Sequence, residues 1–600
     1  MYRSSTTAPA ARSLTRLGYG LLVVAQILLA PSAAHAAKSA SASAAEAEAA
    51  QAYVQGRLAV ASSDLDVAAA RFDAAIKANP DDATQRRALD VAILSGDMKS
   101  AARLAERIDI STEPGGEGGI REAVGTSLVA LTRVSAAAAT RDWRRYDQAR
   151  RAFVEPNQGA GGTPIISTLL EAYGLSAAGK HDDALALVVP ETAQGIARSY
   201  FAEHRAHLLV LAQRWPEAAD AYARIVAAEG ANVSRLRLSG VGAALEAARA
   251  EPAYRARAIT MLGGGPDGDP VLRDARDRFQ ANQRMDGRRL GGMVARPADG
   301  LALLFLRIST DLGRERATGP GLGFARLATL LAPSMPEVWL VTADMLARAD
   351  HPVLALAALA QMPKSEPWND LALTRRAGIL LSQDRNAEAR GLLQGRATRP
   401  DATLDDWTRL ADAQRRSGDP AAAAESYRRA MALLPEDAGP ARAQLAFLRG
   451  AALEASGDWD QAEADLRTAV DLVPDNAIYL NYLGYSLLDR GLKPDEARAL
   501  IARAFKAAPE NGAIIDSMGW AEYRAGNYGE AVRLLERARA AEPADPTVAD
   551  HLGDALWKAG RRFEARHAWA SAAALEPGAE LAKMIAHKRD FGLDIALAAK

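Results

Sequence analysis

The chain has 600 residues, 49% of them apolar and 24% charged, with a formal net charge of −1. That length could hold several domains, and the charge balance gives no global field to draw the chain to nucleic acid or an acidic membrane. It contains no cysteine, which excludes disulfides, thiolate metal sites, cysteine nucleophiles and lipidation of an N-terminal cysteine.

Residues 1–36 have the three-part pattern of a secretory signal. Arg3, Arg12 and Arg16 give a positive start free of acids. Leu21 to Ala30 is an apolar run broken only by Gln26, and Ala34-His35-Ala36 has the small-x-small form of a cleavage site. The run is short for a membrane span of about 20 residues, so cleavage after Ala36 is the expectation. Residues 37–50, rich in Ala, Ser and Glu, read as a flexible lead-in, a tether or a loosely helical one.

From 50 to 262 the sequence predicts an irregular helical arm. Gly56, Ala68, Phe72, Ala75 and Pro80 mark one helical hairpin, and Leu209, Ala218, Tyr222 and Ile225 mark another. Gly and Pro cluster at 113–119, 155–164, 263–270, 291–300 and 317–323, which read as loops between helical blocks. Residues 263–319 are a connector with helical runs such as Leu301–Ile308 but no clean repeat.

From 320 to 577 the pattern becomes regular. Gly519 is followed by Gly553, Ala531 by Ala565, Leu535 by Trp569, Ala538 by Ala572 and Pro543 by Pro577, each pair 34 residues apart. Gly450, Leu466 and Pro474 extend the register upstream, and Gly484, Ile501 and Pro509 follow it with one extra residue in the turn. A fixed period of this length means stacked helical hairpins. In the tail, 578–600, Leu581, Met584, Ile585 and Lys588 recur at helical spacing and predict a helix that caps the last repeat.

On these residues the chain resembles tetratricopeptide repeat (TPR) proteins. The resemblance implies an all-α, TPR-type helical-hairpin solenoid, or superhelix, with an irregular N-terminal and a regular C-terminal arm. The stretches LNYLGYSLLDRGL (480–492), IDSMGW (515–520) and ADHLGDALWKAG (549–560) are also similar to secreted proteobacterial TPR proteins, some of them lipoproteins that serve as adaptors for envelope proteases. This chain lacks the cysteine that anchors those lipoproteins.

The chemistry-bearing candidates are few. His204 and His207 lie one helical turn apart without a third metal ligand placed by the sequence. Gly319, Gly321 and Gly323 follow no strand and lack a phosphate-binding signature, so they read as loop glycines. Asp267 and Asp269 lack a calcium loop around them. No nucleophile elbow or zinc-protease signature is present. The expectation is no enzyme, no metal and no cofactor.

In the family, the first helix of each hairpin lines the binding groove. Carried onto the last three repeats, its groove positions are Asn481, Tyr485, Asp516, Trp520, Tyr523, Asp550, Asp554 and Trp557. That aromatic and acidic set implies a partner segment carrying basic and apolar residues. An equally open reading packs Trp520 and Trp557 between neighbouring helices and leaves the aspartates on a solvated face. The functional expectation is a periplasmic adaptor holding another envelope protein, by analogy a protease or cell-wall enzyme, with peripheral membrane association left open and with no nucleic acid or small-molecule substrate. The alternative is a structural subunit of a secretion, pilus or exopolysaccharide assembly machine.

Overall fold

A computed structural model describes residues 36–62, 64–109, 119–153, 164–229, 234–263, 269–282, 284–365 and 367–594. The export segment, apart from Ala36, lies outside the described residues, as do Asp267 and most of the loops expected at 113–119, 155–164 and 263–270. Among the described residues there is no strand.

The chain divides after Ser365 into two compact units. The first holds α1 (Ala36–Ala61), α2 (Leu65–Ala78), α3 (Asp82–Ser95), α4 (Met98–Arg107), α5 (Gly119–Ala139), α6 (Trp143–Arg151), α7 (Ile166–Ala177), α8 (His181–Leu187), α9 (Ala197–Leu211) and α10 (Trp215–Glu229). It continues with α11 (Ser234–Ala247), α12 (Ala253–Gly263), α13 (Pro270–Ala281), α14 (Gly287–Leu290), α15 (Pro297–Arg314), α16 (Thr318–Leu331), α17 (Pro336–Arg348) and α18 (Pro352–Ala360). The second holds α19 (Trp368–Ser382), α20 (Asn386–Ala397), α21 (Leu404–Arg416), α22 (Pro420–Ala432), α23 (Gly439–Ser456), α24 (Trp459–Leu472) and α25 (Ala477–Asp489). It ends with α26 (Pro494–Ala507), α27 (Gly512–Arg524), α28 (Tyr528–Ala541), α29 (Pro546–Lys558), α30 (Arg562–Ala574) and α31 (Ala579–Phe591).

In the second unit every helix packs on the next, and the first helices of successive hairpins also touch, α25 on α27 and α27 on α29. Glycine permits the closest crossings. A Cβ at Gly450, Gly484 or Gly519 would sit 2.9, 2.8 or 2.7 Å from Leu466, Ile501 or Leu535, and one at Gly553 would overlap the Trp569 ring. The two periodic residue sets of the sequence are therefore the two sides of one contact. The hairpin turns are closed by glycines with positive φ, among them Gly457, Gly526 and Gly560. Asn476, Asn511 and Asp545 start α25, α27 and α29 by accepting backbone N–H bonds. The extra residue before α26 puts Lys493 at φ 45. The apolar core is a string of separate clusters, as expected when each repeat packs only on its neighbours.

The first unit is built differently. One continuous core runs from Ala59 to Val338. Its hairpins include α1–α2, α3–α4, α5–α6, α7–α8, α9–α10, α11–α12 and α17–α18, and the α15–α16 hairpin lies across the first helices α3, α5, α7 and α9. α15 packs on α5, α7 and α9, while α16 packs on α3, α4 and α5. Leu301, Ala302, Leu304 and Phe305 are fully buried in α15. Arg307 donates to Ser199 O at 3.2 Å and pairs with Glu203 at 2.5 Å. Arg326 of α16 donates to Leu94 O at 2.9 Å, at the end of α3.

Several expectations are corrected here. The lead-in at 37–50 is not a flexible tether; it is helix, part of α1, with Ala49 buried. The segment 263–319 is not a connector, and the division falls after 365 rather than at 320, because α15, α16 and α17 pack together and carry core residues of the first unit. The expected loop at 317–323 is the start of α16, and Pro297 already begins α15 within the expected loop at 291–300. Gly321 is a packing glycine: a Cβ there would lie 2.6 Å from Met345 Cε. His204 and His207 are fully buried, with Nδ1 2.7 Å from Tyr173 Oη and 2.6 Å from Tyr222 Oη. They tie α7, α9 and α10 together.

A Cβ at Gly300 of α15 would overlap the Tyr173 ring, whereas Gly319 has open space around it. Gly300→Ala should therefore destabilise the first unit by about 1–3 kcal/mol through overpacking. Gly319→Ala should be neutral or stabilise by up to about 1 kcal/mol. Urea unfolding followed by circular dichroism checks the pair, and equal effects would contradict this packing.

Candidate partner-binding face

The eight expected groove residues lie on three successive first helices: Asn481 and Tyr485 on α25; Asp516, Trp520 and Tyr523 on α27; Asp550, Asp554 and Trp557 on α29. The structure places them on neighbouring helices, but the three aspartates are already paired within the chain, while Asn481 Oδ1 is buried without a hydrogen-bond partner. Asp516 is 5% exposed, and both its oxygens lie 3.0 Å from Nδ1 of His551 on the next first helix. Asp550 and Asp554 are each 4% exposed and share the Lys588 ammonium of α31, at 2.7 and 2.8 Å. Asp554 Oδ1 also accepts from Trp569 Nε1 at 3.0 Å. Neither the solvated-face reading nor a free acidic lining describes these three aspartates.

The tryptophans are packed as well. The Trp520 ring stacks on Tyr523 at 4.5 Å and on His551 at 4.1 Å, and its Nε1 is buried without a hydrogen-bond partner. Trp557 donates to Asp594 at 3.0 Å and lies against Trp569, with Arg562 and Arg566 over its ring. Both tryptophans thus pack on neighbouring side chains while staying only partly buried. What remains accessible is a ledge of partly buried aromatics. Tyr485, Trp520 and Tyr523 stand on α25 and α27; on α23 and α25, Phe447 stacks on Tyr479 at 4.8 Å and meets Tyr482 edge-on at 5.2 Å. Stiff rings of this kind offer large contact area at low entropic cost.

Sequence reasoning missed His551 and the role of Lys588. Lys588 did leave a signal, a lysine in the register of Leu581, Met584 and Ile585 on the face that packs. Basic residues of the second helices hold neighbouring repeats together instead of framing a site: Arg498 pairs with Glu522 at 2.6 Å, and Arg503 and Arg537 donate to Pro474 O and Pro509 O at 2.7 and 3.2 Å. Among the described residues no group of side chains could hold a metal ion, and no helix is long and apolar enough to cross a membrane.

Burial, together with the Asp550 charge, pushes the Asp554 carboxyl up to about 6 against the pull of Lys588 and His551. Burial alone would lower the His551 pKa; the facing Asp516, with Asp550 and Asp554, outweighs it and raises it. Both groups favour bound protons in the folded state, so their contribution grows as pH falls through these values and is lost as pH rises. In the first unit, burial pushes His204 down to about 3. Its contribution is complete above the ordinary histidine range and is lost as pH falls below about 6.5. Between pH 7.5 and 5 the two units should respond in opposite directions, each by at most about 1.4 kcal/mol per pH unit per proton. Fragment-resolved hydrogen exchange across a urea series at both pH values measures this. Acidification should weaken α7–α10 and strengthen α27–α31, and Asp554→Asn should flatten the second response. Parallel responses would contradict the assignment.

Comparison with known proteins finds tetratricopeptide repeats. Residues 53–113, 447–512 and 517–580 match one tetratricopeptide repeat family, and 407–441 match another. A TPR repeat-containing protein of Pseudomonas aeruginosa is 35% identical over 179 residues, covering 29% of this chain. The chain spans 30% of the length of that curated relative. Among solved structures, the APC/C hetero-tetramer Cut9-Hcn1 aligns over 90% of this chain and 96% of that chain, at 14% identity and a TM-score of 0.35. MamA from Desulfovibrio magneticus RS-1 aligns over 29% of this chain and 94% of that one, at 17% identity and a TM-score of 0.25. The matched segments of this chain are tetratricopeptide repeats, present in both of its units.

Proposed function

We propose that the chain is a non-enzymatic scaffold that holds a partner protein against the first helices of its second unit. The carrying observation is the aromatic ledge of Phe447, Tyr479, Tyr482, Tyr485, Trp520 and Tyr523. In the first unit four of the equivalent helices, α3, α5, α7 and α9, pack against the chain's own α15–α16 hairpin. The acids expected to select a basic partner are engaged within the chain, so aromatic and apolar contact dominates along the ledge. The partner is another protein of the bacterial envelope, a location supported by the secretory pattern of residues 1–36.

Trp520→Ala would report lost packing, because its ring is stacked on two neighbours. Tyr485 and Tyr523 are the better probes. A photo-crosslinking residue at either position should capture one partner in intact cells, and one at Val353, which is 73% exposed in the first unit, should not. With that partner purified, Tyr485→Ala combined with Tyr523→Ala should weaken binding at least tenfold, or about 1.4 kcal/mol. Equal capture from Val353, or unchanged affinity of the folded double variant, would contradict the reading. For location, the protein recovered from a periplasmic extract should begin at or near Ala37; full-length protein in the cytosol would remove the envelope assignment.

A further inference from the structure

The segment that closes the second unit shows what chemistry its last repeat accepts. Lys588 of α31 is 2% exposed between Asp550 and Asp554, and Ile585, one turn earlier, is fully buried. The other apolar residues of the helix are less enclosed. Phe591 is 56% exposed, Leu581 and Met584 are only partly buried, and α31 packs chiefly along α30. It hangs from a short link in which Glu576 has φ 52 and is followed by Pro577 and Gly578. Beyond it, Leu593 is a second fully buried plug in the same core cluster as Ile585, and Asp594 accepts from Trp557 and Lys558.

The charge balance at this site is incomplete. One ammonium faces two buried carboxylates, and Asp550 Oδ1 is buried without a hydrogen-bond partner. No other titratable group nearby hydrogen-bonds that oxygen. His551 bonds Asp516 and reaches Asp550 and Asp554 through its charge alone, and Lys558 bonds Asp594. Arg566 lies over Trp557 and donates to Arg589 O at 3.3 Å. His587 rests on Phe591 with Nε2 unpartnered, and Tyr523 stacks on Trp520. A guanidinium, with five donors to the three of an ammonium, would satisfy this pair of acids more fully.

We propose that α31 is a displaceable occupant of the acidic end of the second unit, and that a cationic amphipathic helix of a partner protein takes the same place. That helix presents Lys or Arg three residues after a branched apolar residue, as Lys588 follows Ile585. The proposal rests on the reading that the first helices of this unit are the partner-binding face. The exchange replaces one ion pair and one apolar plug with another of the same kind, so no buried charge is left alone. The tether gives α31 the advantage of a high effective concentration, which makes it a threshold that weak or poorly matched partners fail to cross.

The chain has no cysteine, so Asp590→Cys places a single spin label on an exposed position of α31. The probe is a synthetic peptide of residues 579–594. Added in excess to the labelled full chain, it should convert an immobile label spectrum into a mobile one. The same peptide carrying Lys588→Gln should not. In the full chain, Lys588→Gln should loosen the tail and raise affinity for the unmodified peptide at least tenfold. An immobile label at millimolar peptide overturns the proposal and makes α31 a permanent cap; this measurement on the parent decides even if the variant does not fold. Concentration-dependent dimers that exchange tails, with no response to peptide, would assign the site to a second copy of this chain and overturn the partner assignment. Displacement of α31 without any partner captured at Tyr485 would count against the proposed function alone. Capture at Tyr485 without displacement would count against this inference alone.

Discussion

The fold depends on one steric constraint, the crossing of the two helices of a hairpin at a distance that leaves no room for a side chain. Gly450, Gly484, Gly519 and Gly553 each face a large residue, Leu466, Ile501, Leu535 and Trp569. Close-packed interiors transmit such a constraint, since neither partner can change volume alone. Because the contact repeats along the chain, it fixes the hairpin geometry, the placement of the next first helix, and so the row on which the aromatic ledge stands.

Where that constraint is written in glycine, the fold was legible. The register from 450 to 577 and the extra turn residue near 491 follow from spacing alone. Where the left-handed turn residue is not glycine the outcome was mixed: the hairpin around Gln213 was read from Leu209, Ala218, Tyr222 and Ile225, whereas those around Arg141 and Arg316 were not. Arg141, Gln213, Arg316, Asp350 and Asp384 all have φ between 55 and 62 and close turns that glycine closes elsewhere. The opposite error concerned α16. Its glycines invited a loop reading, yet Gly321 sits inside a helix because Met345 needs the space. Local composition does not distinguish a glycine that bends the chain from one that admits a neighbour.

The candidate site shows the same division. The family resemblance put Tyr485, Trp520, Asp516, Asp550 and Asp554 on successive first helices, where the structure has them. It could not supply their partners, because His551 lies 35 residues from Asp516 and Lys588 lies 38 from Asp550. An acidic row in a sequence carries no sign of whether it faces solvent, a partner protein or the chain's own tail. Buried ion pairs contribute little net stability compared with apolar packing, but breaking one strands a charge. The acidic end of the second unit is accordingly a place where register and occupancy are specified strongly, and where a competing cation meets complementary geometry.

The two units put related hairpins to different uses. In the first, α15 and α16 cover α3, α5, α7 and α9 and join one continuous core; in the second, the core is divided and, among its described residues, no such hairpin packs across the first helices. Hydrogen exchange on the intact protein tests this contrast most directly. The amides of Leu301–Phe305 and Ala325–Ala328 should exchange as slowly as any in the first unit, through its global opening only. Exchange of that hairpin at the rate of surface helices, while α5, α7 and α9 stay protected, would contradict the account.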